Sequence, residues 1–189
     1  MMFQRRFIAF ILLLSLPSLG CGILYTGEHM LVKKLDTILL TANDLPTMEV
    51  DASANFRIRG VGKQPLVVDG FLQAWDGTRP EEDITVRYWL FRSVGDAQKA
   101  ADVWRSFIAA AAIEIDGKTE SAYQPEPNPE DVIGDATWRP ENDTSIWFVK
   151  NNVLVYVMAN DLLGDQLWNR AVARKIEAKI NAALPKNTD

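Results

Sequence analysis

The sequence predicts an α+β domain, an antiparallel sheet of five or six strands with two main helices packed on it. Three observations carry that expectation. In Ser145–Ala159, SIWFVKNNVLVYVMA, two runs rich in β-branched and aromatic residues flank Asn151-Asn152, and asparagine tolerates the positive φ of a two-residue hairpin loop. Ile84–Phe91 alternates with a period of two, placing Ile84, Val86, Tyr88 and Leu90 on one face and Thr85, Arg87, Trp89 and Phe91 on the other. Apolar residues then recur at helical spacing over residues 93–113 and 161–184.

The hairpin is the element the rest must serve. A two-residue loop pairs Lys150 with Val153, Val149 with Leu154, Phe148 with Val155, Trp147 with Tyr156 and Ile146 with Val157. Both faces of that ribbon are apolar, so it belongs at the centre of the sheet with a layer on each side. The alternation of Ile84–Phe91 sends its Ile84 set toward a core and leaves the Arg87 and Trp89 face at least partly open to solvent.

The remaining elements follow in chain order. Residues 22–34 lack pattern and read as a tether, and Leu35–Leu40 suits one helical turn or a short strand, ended by Asn43-Asp44-Leu45-Pro46. Met48–Arg59 alternates imperfectly, as one strand or two short ones. Leu66–Trp75 is a strand with a break at Asp69-Gly70, and residues 76–83 form an exposed acidic loop. Ser93, three residues before Asp96, caps the first helix, whose stripe is Val94, Ala97, Ala101, Trp104, Ile108 and Ala111. Asp116–Asp131 ends in QPEPNPED and reads as an exposed loop of polyproline character. Val132–Trp138 is a short strand bent at Gly134. The last helix carries Trp168, Val172, Ile176, Ile180 and Leu184 four residues apart, and Trp104 and Trp168 are both expected in the core.

The first residues have a different character. Arg5 and Arg6 precede the ten-residue apolar run Phe7–Leu16, and Pro17-Ser18-Leu19-Gly20 leads to Cys21, the only cysteine. That is the layout of a secretory signal peptide. With Gly20 directly ahead of Cys21, the segment resembles a bacterial lipoprotein precursor, although Ser18 and Leu19 stand in the reverse of the usual lipobox order. The resemblance covers residues 1–21. It implies cleavage before Cys21 and acylation of that cysteine, for example with palmitate, and implies nothing about the mature domain. Two other readings stand beside it: an uncleaved signal anchor, since Phe7–Tyr25 is 19 residues without a charge, and ordinary cleavage to a soluble secreted protein. All three place the domain outside the cytoplasm, because the arginines hold the N-terminus inside. The expected organisation is therefore a signal peptide over residues 1–20 (or an anchor to about 25), a tether over 21–34 and a single domain over 35–185.

Charge and residue types narrow the chemistry. Removing residues 1–20 takes away two arginines and no acid, so 18 basic and 25 acidic residues leave −7 on the mature chain. A surface so acidic argues against nucleic acid as a partner. His29 is the only histidine and lies on the tether, so neither a nitrogen and sulfur cluster for a metal nor a Ser-His or Cys-His pair is expected. Residues 76–83 lack the ligand pattern of a calcium loop, and Gly60-x-Gly62 is too short for a dinucleotide fingerprint. No cofactor and no enzymatic activity are expected, although a hydrolase working through an acid pair cannot be recognised from 25 carboxylates. Six tryptophans, at 75, 89, 104, 138, 147 and 168, are the one feature with functional colour. The leading expectation is a membrane-tethered extracytoplasmic module that binds a protein partner in the cell envelope, as an accessory or assembly subunit, with Trp89 and Arg87 as candidate contacts. The alternative is a domain that binds a small ligand or lipid.

Overall fold

The computed structural model describes residues 31–58, 66–77, 83–110, 114–115, 118–119, 124–139, 145–160 and 167–185. The segment expected to be a signal peptide, Cys21 and His29 lie outside these residues. The described elements are β1 (Glu49–Val50), β2 (Phe56–Arg57), β3 (Val67–Asp76), β4 (Asp83–Phe91), α1 (Val94–Ala110), β5 (Glu114–Ile115), β6 (Lys118–Thr119), β7 (Gln124–Pro125), β8 (Ala136–Arg139), β9 (Ser145–Lys150), β10 (Val153–Asn160) and α2 (Leu167–Ala183). An eight-stranded antiparallel sheet runs β1-β3-β4-β10-β9-β8-β7, with β2 also on the outer edge of β3, and β5 and β6 form a separate two-stranded ribbon. The α+β class is as expected. The strand count is larger because three two-residue strands, β1, β2 and β7, add to the five longer ones.

The register of β9 and β10 is the one read from the sequence, from Lys150 opposite Val153 to Ile146 opposite Val157. Asn151 holds the positive φ of the turn, at 55°. β10 is the middle strand, bonded to β4 along eight residue pairs on its other side. Alternation then builds two cores. On one face Ile146, Phe148, Val155 and Val157 meet Ile84, Val86, Tyr88 and Trp75, covered by Val172, Ala173, Ile176 and Ile180 of α2 and by the segment from Val32 to Met48. On the other, Trp147, Val149 and Leu154 meet Trp89, Phe91 and Trp138 under Ala97 and Ala101 of α1. Those alanines let α1 lie close to the sheet, and the Asp96 N–H donates to Ser93 Oγ at 3.1 Å as the expected cap.

Residues 32–48 cover a sheet face without joining the sheet, so their backbone groups need other partners. Two buried amide side chains supply them. Asn152 Oδ1 accepts from the Val32 N–H at 2.9 Å, while its Nδ2 donates to Val32 O at 3.0 Å and Phe91 O at 2.9 Å. Gln73 Oε1 accepts from the Leu40 N–H and its Nε2 donates to Leu40 O, both at 3.0 Å. Tyr88 donates its hydroxyl to the same Oε1 at 3.0 Å, and burial pushes that hydroxyl far above its ordinary pKa, so it remains a donor. Val32, inside the span expected to be tether, is therefore packed and hydrogen-bonded into the fold. Leu35–Thr37 is the helical turn allowed for that region.

Other segments depart from expectation for identifiable reasons. Met48–Arg59 forms two short strands joined by a 3-10 turn at Ala52–Ala54, where Asp51 accepts from the Ser53 N–H. β3 continues through Asp69-Gly70, and the irregularity is a bulge between Val67 and Asp69. Trp168, expected in the core, is 37% exposed. Residues four apart advance about 40° per step around an α-helix, so a stripe centred on Ile176 turns off the sheet at its ends. In the proline-rich segment Glu126 is not exposed. Its side chain is 2% accessible, between Arg139 Nε at 2.9 Å and Arg170 at 2.6 Å, which ties β7 to β8 and α2. Burial alone would raise the Glu126 carboxyl, but the hydrogen bonds from Arg170 and Arg139 outweigh it and hold its pKa below the ordinary value.

Gly134 precedes β8 at φ 73°, and a Cβ there would collide with the Val149 carbonyl oxygen. The next residue closes the hairpin: the Asp135 N–H donates to Val149 O, and its carboxylate accepts from the Asn151 N–H at 2.7 Å and from Lys150 at 2.9 Å. Gly134→Ala should therefore destabilise the fold by at least about 1–3 kcal/mol from the backbone conformation alone. An unchanged urea midpoint for this variant would contradict the turn.

Candidate partner-binding surface

One row of side chains crosses the α1 face of the sheet. Phe56, Leu72, Arg87, Tyr156, Trp147, Trp138 and Pro125 stand opposite one another on β2, β3, β4, β10, β9, β8 and β7. The next row toward α1 is Gly70, Trp89, Leu154, Val149 and Ala136. The row on the other side is Ala74, Thr85, Met158 and Ser145. The helix contributes Ala97 and Ala101 to the core at the Trp89 end. Away from it the face opens: Leu72, Ala74, Thr85, Tyr156 and Met158 are half-buried and Arg87 is exposed.

Trp89 and Arg87 share a face as the alternation of β4 requires, but their surroundings differ. Trp89 is 9% exposed, against the expectation of an open tryptophan. It stacks on Trp147 with ring centroids 5.5 Å apart and 11° between planes. Trp104 of α1 lies 6.2 Å from Trp89 and 5.7 Å from Trp147. The indole expected in the core, Trp104, is the outer one at 38% exposure. Alanines set the gap between α1 and the sheet, and an indole on the same stripe is too large for it, so Trp104 projects along the sheet and covers Trp89. Among the described residues the buried Trp147 indole N–H meets no acceptor. Tyr156 continues the cluster, 4.6 Å from Trp147, and the Arg87 guanidinium lies over its ring at 6.0 Å.

The open region thus has a cation on a tyrosine face, a half-buried apolar floor of Leu72, Ala74 and Met158, and a tryptophan rim. Among the described residues no group of three or more His, Cys, Asp or Glu is placed to hold a metal ion. Among them, also, no helix is long and apolar enough to cross a membrane. Cys21, the candidate lipid site, lies outside the described residues. Sequence alternation found Arg87, but nothing local marked Tyr156, which strand pairing sets opposite it, or Trp104, which the docking of α1 brings to Trp89 and Trp147.

Comparison with known proteins adds one structural likeness. No protein-family model and no curated protein matches the chain. Among solved structures it is similar to the extracellular domain of PknH from Mycobacterium tuberculosis, with a TM-score of 0.43 and 16% identity over 82% of this chain and 99% of that one. A likeness of that degree supports no inference about function.

The burial pattern reverses the expected roles of two tryptophans, and stability measurements separate them. Trp89→Ala should cost about 3–5 kcal/mol in urea unfolding, as a large buried aromatic does, and Trp104→Ala should cost less. A larger loss at Trp104 would contradict this arrangement.

Proposed function

We propose that the chain is a membrane-tethered extracytoplasmic module without enzymatic activity, whose role is to bind a protein partner of the cell envelope. The observation that carries this reading is the half-open face of the sheet, where Arg87 lies over Tyr156 and Tyr156 and Trp104 both pack on Trp147. Aromatic and arginine side chains grouped on one accessible patch are the composition of an interface centre rather than of ordinary surface. The leader supports the tether: a positive start, an apolar run and Gly20-Cys21 fit export followed by acylation of Cys21. A lipid anchor on a domain with −7 net charge would hold it at the membrane through its acyl chains rather than through basic contacts.

The test has two parts. The wild-type chain should incorporate labelled fatty acid, and Cys21→Ser should accumulate as an unprocessed, unlabelled precursor. Equal processing of both forms without label would remove the lipid anchor. Affinity recovery of the tagged chain from detergent-solubilised membranes should bring down a defined envelope protein in a reproducible ratio, whereas recovery of the chain alone would remove the binding role.

A further inference from the structure

We propose that the end of the sheet where Val32 is bound is a membrane-contact face, on which Lys33, Lys34 and Arg92 meet anionic lipid headgroups while Leu66 and Val68 enter the headgroup layer. This rests on the membrane-tether reading above and deepens it: the anchor holds the domain at the membrane, and this face sets which way the domain points.

A short chain of contacts brings these residues together. Val67 and Phe91 stand opposite each other on β3 and β4. The Phe91 N–H donates to Asn152 O at 2.9 Å, Asn152 Nδ2 donates back to Phe91 O, and Asn152 Oδ1 accepts from the Val32 N–H. Leu66 and Val68 flank Val67, Arg92 follows Phe91, and Lys33 and Lys34 follow Val32. Each is therefore within two residues of that chain, and all five are exposed.

Charge separates this end from the rest of the molecule. The neighbouring acids are matched: Asp36 and Asp69 bind Arg57, and Asp135 binds Lys150. Asp96, in the first turn of α1, offsets one of the three exposed cations. The end stays positive on a chain that carries −7 once residues 1–20 are removed. An anionic surface repels the acidic remainder, so the charge distribution alone turns this end toward the membrane.

The apolar part comes from the bulge. Val67 belongs to the α1 core and Asp69 pairs with Leu90, which leaves the extra residue between them, Val68, outside both cores at 52% exposure. Leu66 beside it is 38% exposed. Aliphatic side chains set among lysines and an arginine suit the membrane interface, where the cations bind phosphate and the hydrocarbon sits at the acyl boundary.

The length of the tether selects a membrane over a protein as the occupant. Nine residues separate Cys21 from Leu31, at most about 35 Å of extended chain. Fewer remain if the anchor runs to Tyr25. Val32 is the residue nearest Cys21 with described hydrogen bonds to the sheet, so this is the end that the anchor keeps beside the headgroups.

Amine footprinting tests the contact. The mature chain is coupled through the Cys21 thiol to a maleimide lipid, in vesicles of phosphatidylcholine alone or with added phosphatidylglycerol, and its lysines are acetylated and quantified by mass spectrometry. Because the coupling is chemical, the outcome does not depend on acylation of Cys21 in the cell, which the labelled fatty acid decides separately. Lys33 and Lys34 should react roughly threefold or more slowly on the anionic vesicles, and raising the salt should reduce this protection. Lys175 and Lys179, which bind Asp44, should react alike on both. Arg92→Glu combined with Val68→Glu should abolish the protection with an unchanged melting temperature, because both side chains are exposed. If this pair does melt lower, Arg92→Gln alone should still weaken the protection. Equal reactivity of Lys33 and Lys34 on both vesicles, protection that survives the variants, or equal protection at Lys175 would each overturn the inference. Protection by a solubilised envelope extract and not by vesicles would assign this face to a protein and overturn it as well.

Discussion

Strands β9 and β10 carry hydrocarbon on both faces, and water has to be kept from both. Each Ile, Val or Phe left exposed there would forfeit about 1.5–3 kcal/mol of burial, so the chain supplies cover twice. On one side α2 does so with Val172, Ala173, Ile176 and Ile180, helped by Val32 to Met48. On the other α1 does so with Ala97 and Ala101. The unequal cover has consequences. The α2 side is closed along most of its length because an irregular segment fills what the helix leaves. The α1 side has only the helix among the described elements contributing to its buried core, and the sheet beyond Trp104 stays half open.

Covering a sheet with irregular chain raises a polar problem that Asn152 and Gln73 solve. Each amide side chain offers one oxygen and two N–H donors, and each acts toward Val32 or Leu40 as a neighbouring strand would. Asn152 also bonds Phe91 at the end of β4. One residue of the hairpin turn therefore joins Val32, the central ribbon and β4.

Periodic features were legible in the sequence, and contacts between distant segments were not. The hairpin register followed from β-branched runs around Asn151-Asn152, the inward face of β4 from its alternation, and the cap of α1 from Ser93. The roles of Trp89 and Trp104 came out reversed, because strand alternation names a face without saying how far a helix extends over it. Glu126 looked solvated among prolines, since nothing local shows that Arg139 and Arg170 converge on it. Trp168 followed the apolar stripe of α2 but lies where that stripe has turned away from the sheet. At the candidate surface Arg87 could be read from one strand, whereas Tyr156 stands beside it only because β10 pairs with β4.

The account makes the β9 and β10 ribbon the last part of the fold to open. Native-state hydrogen exchange of the Val155 and Val157 amides tests this most directly. The expected result is exchange only through global unfolding, with protection matching the unfolding free energy from urea. Exchange of these two amides by local opening, faster than that of the β8 amides, would contradict it.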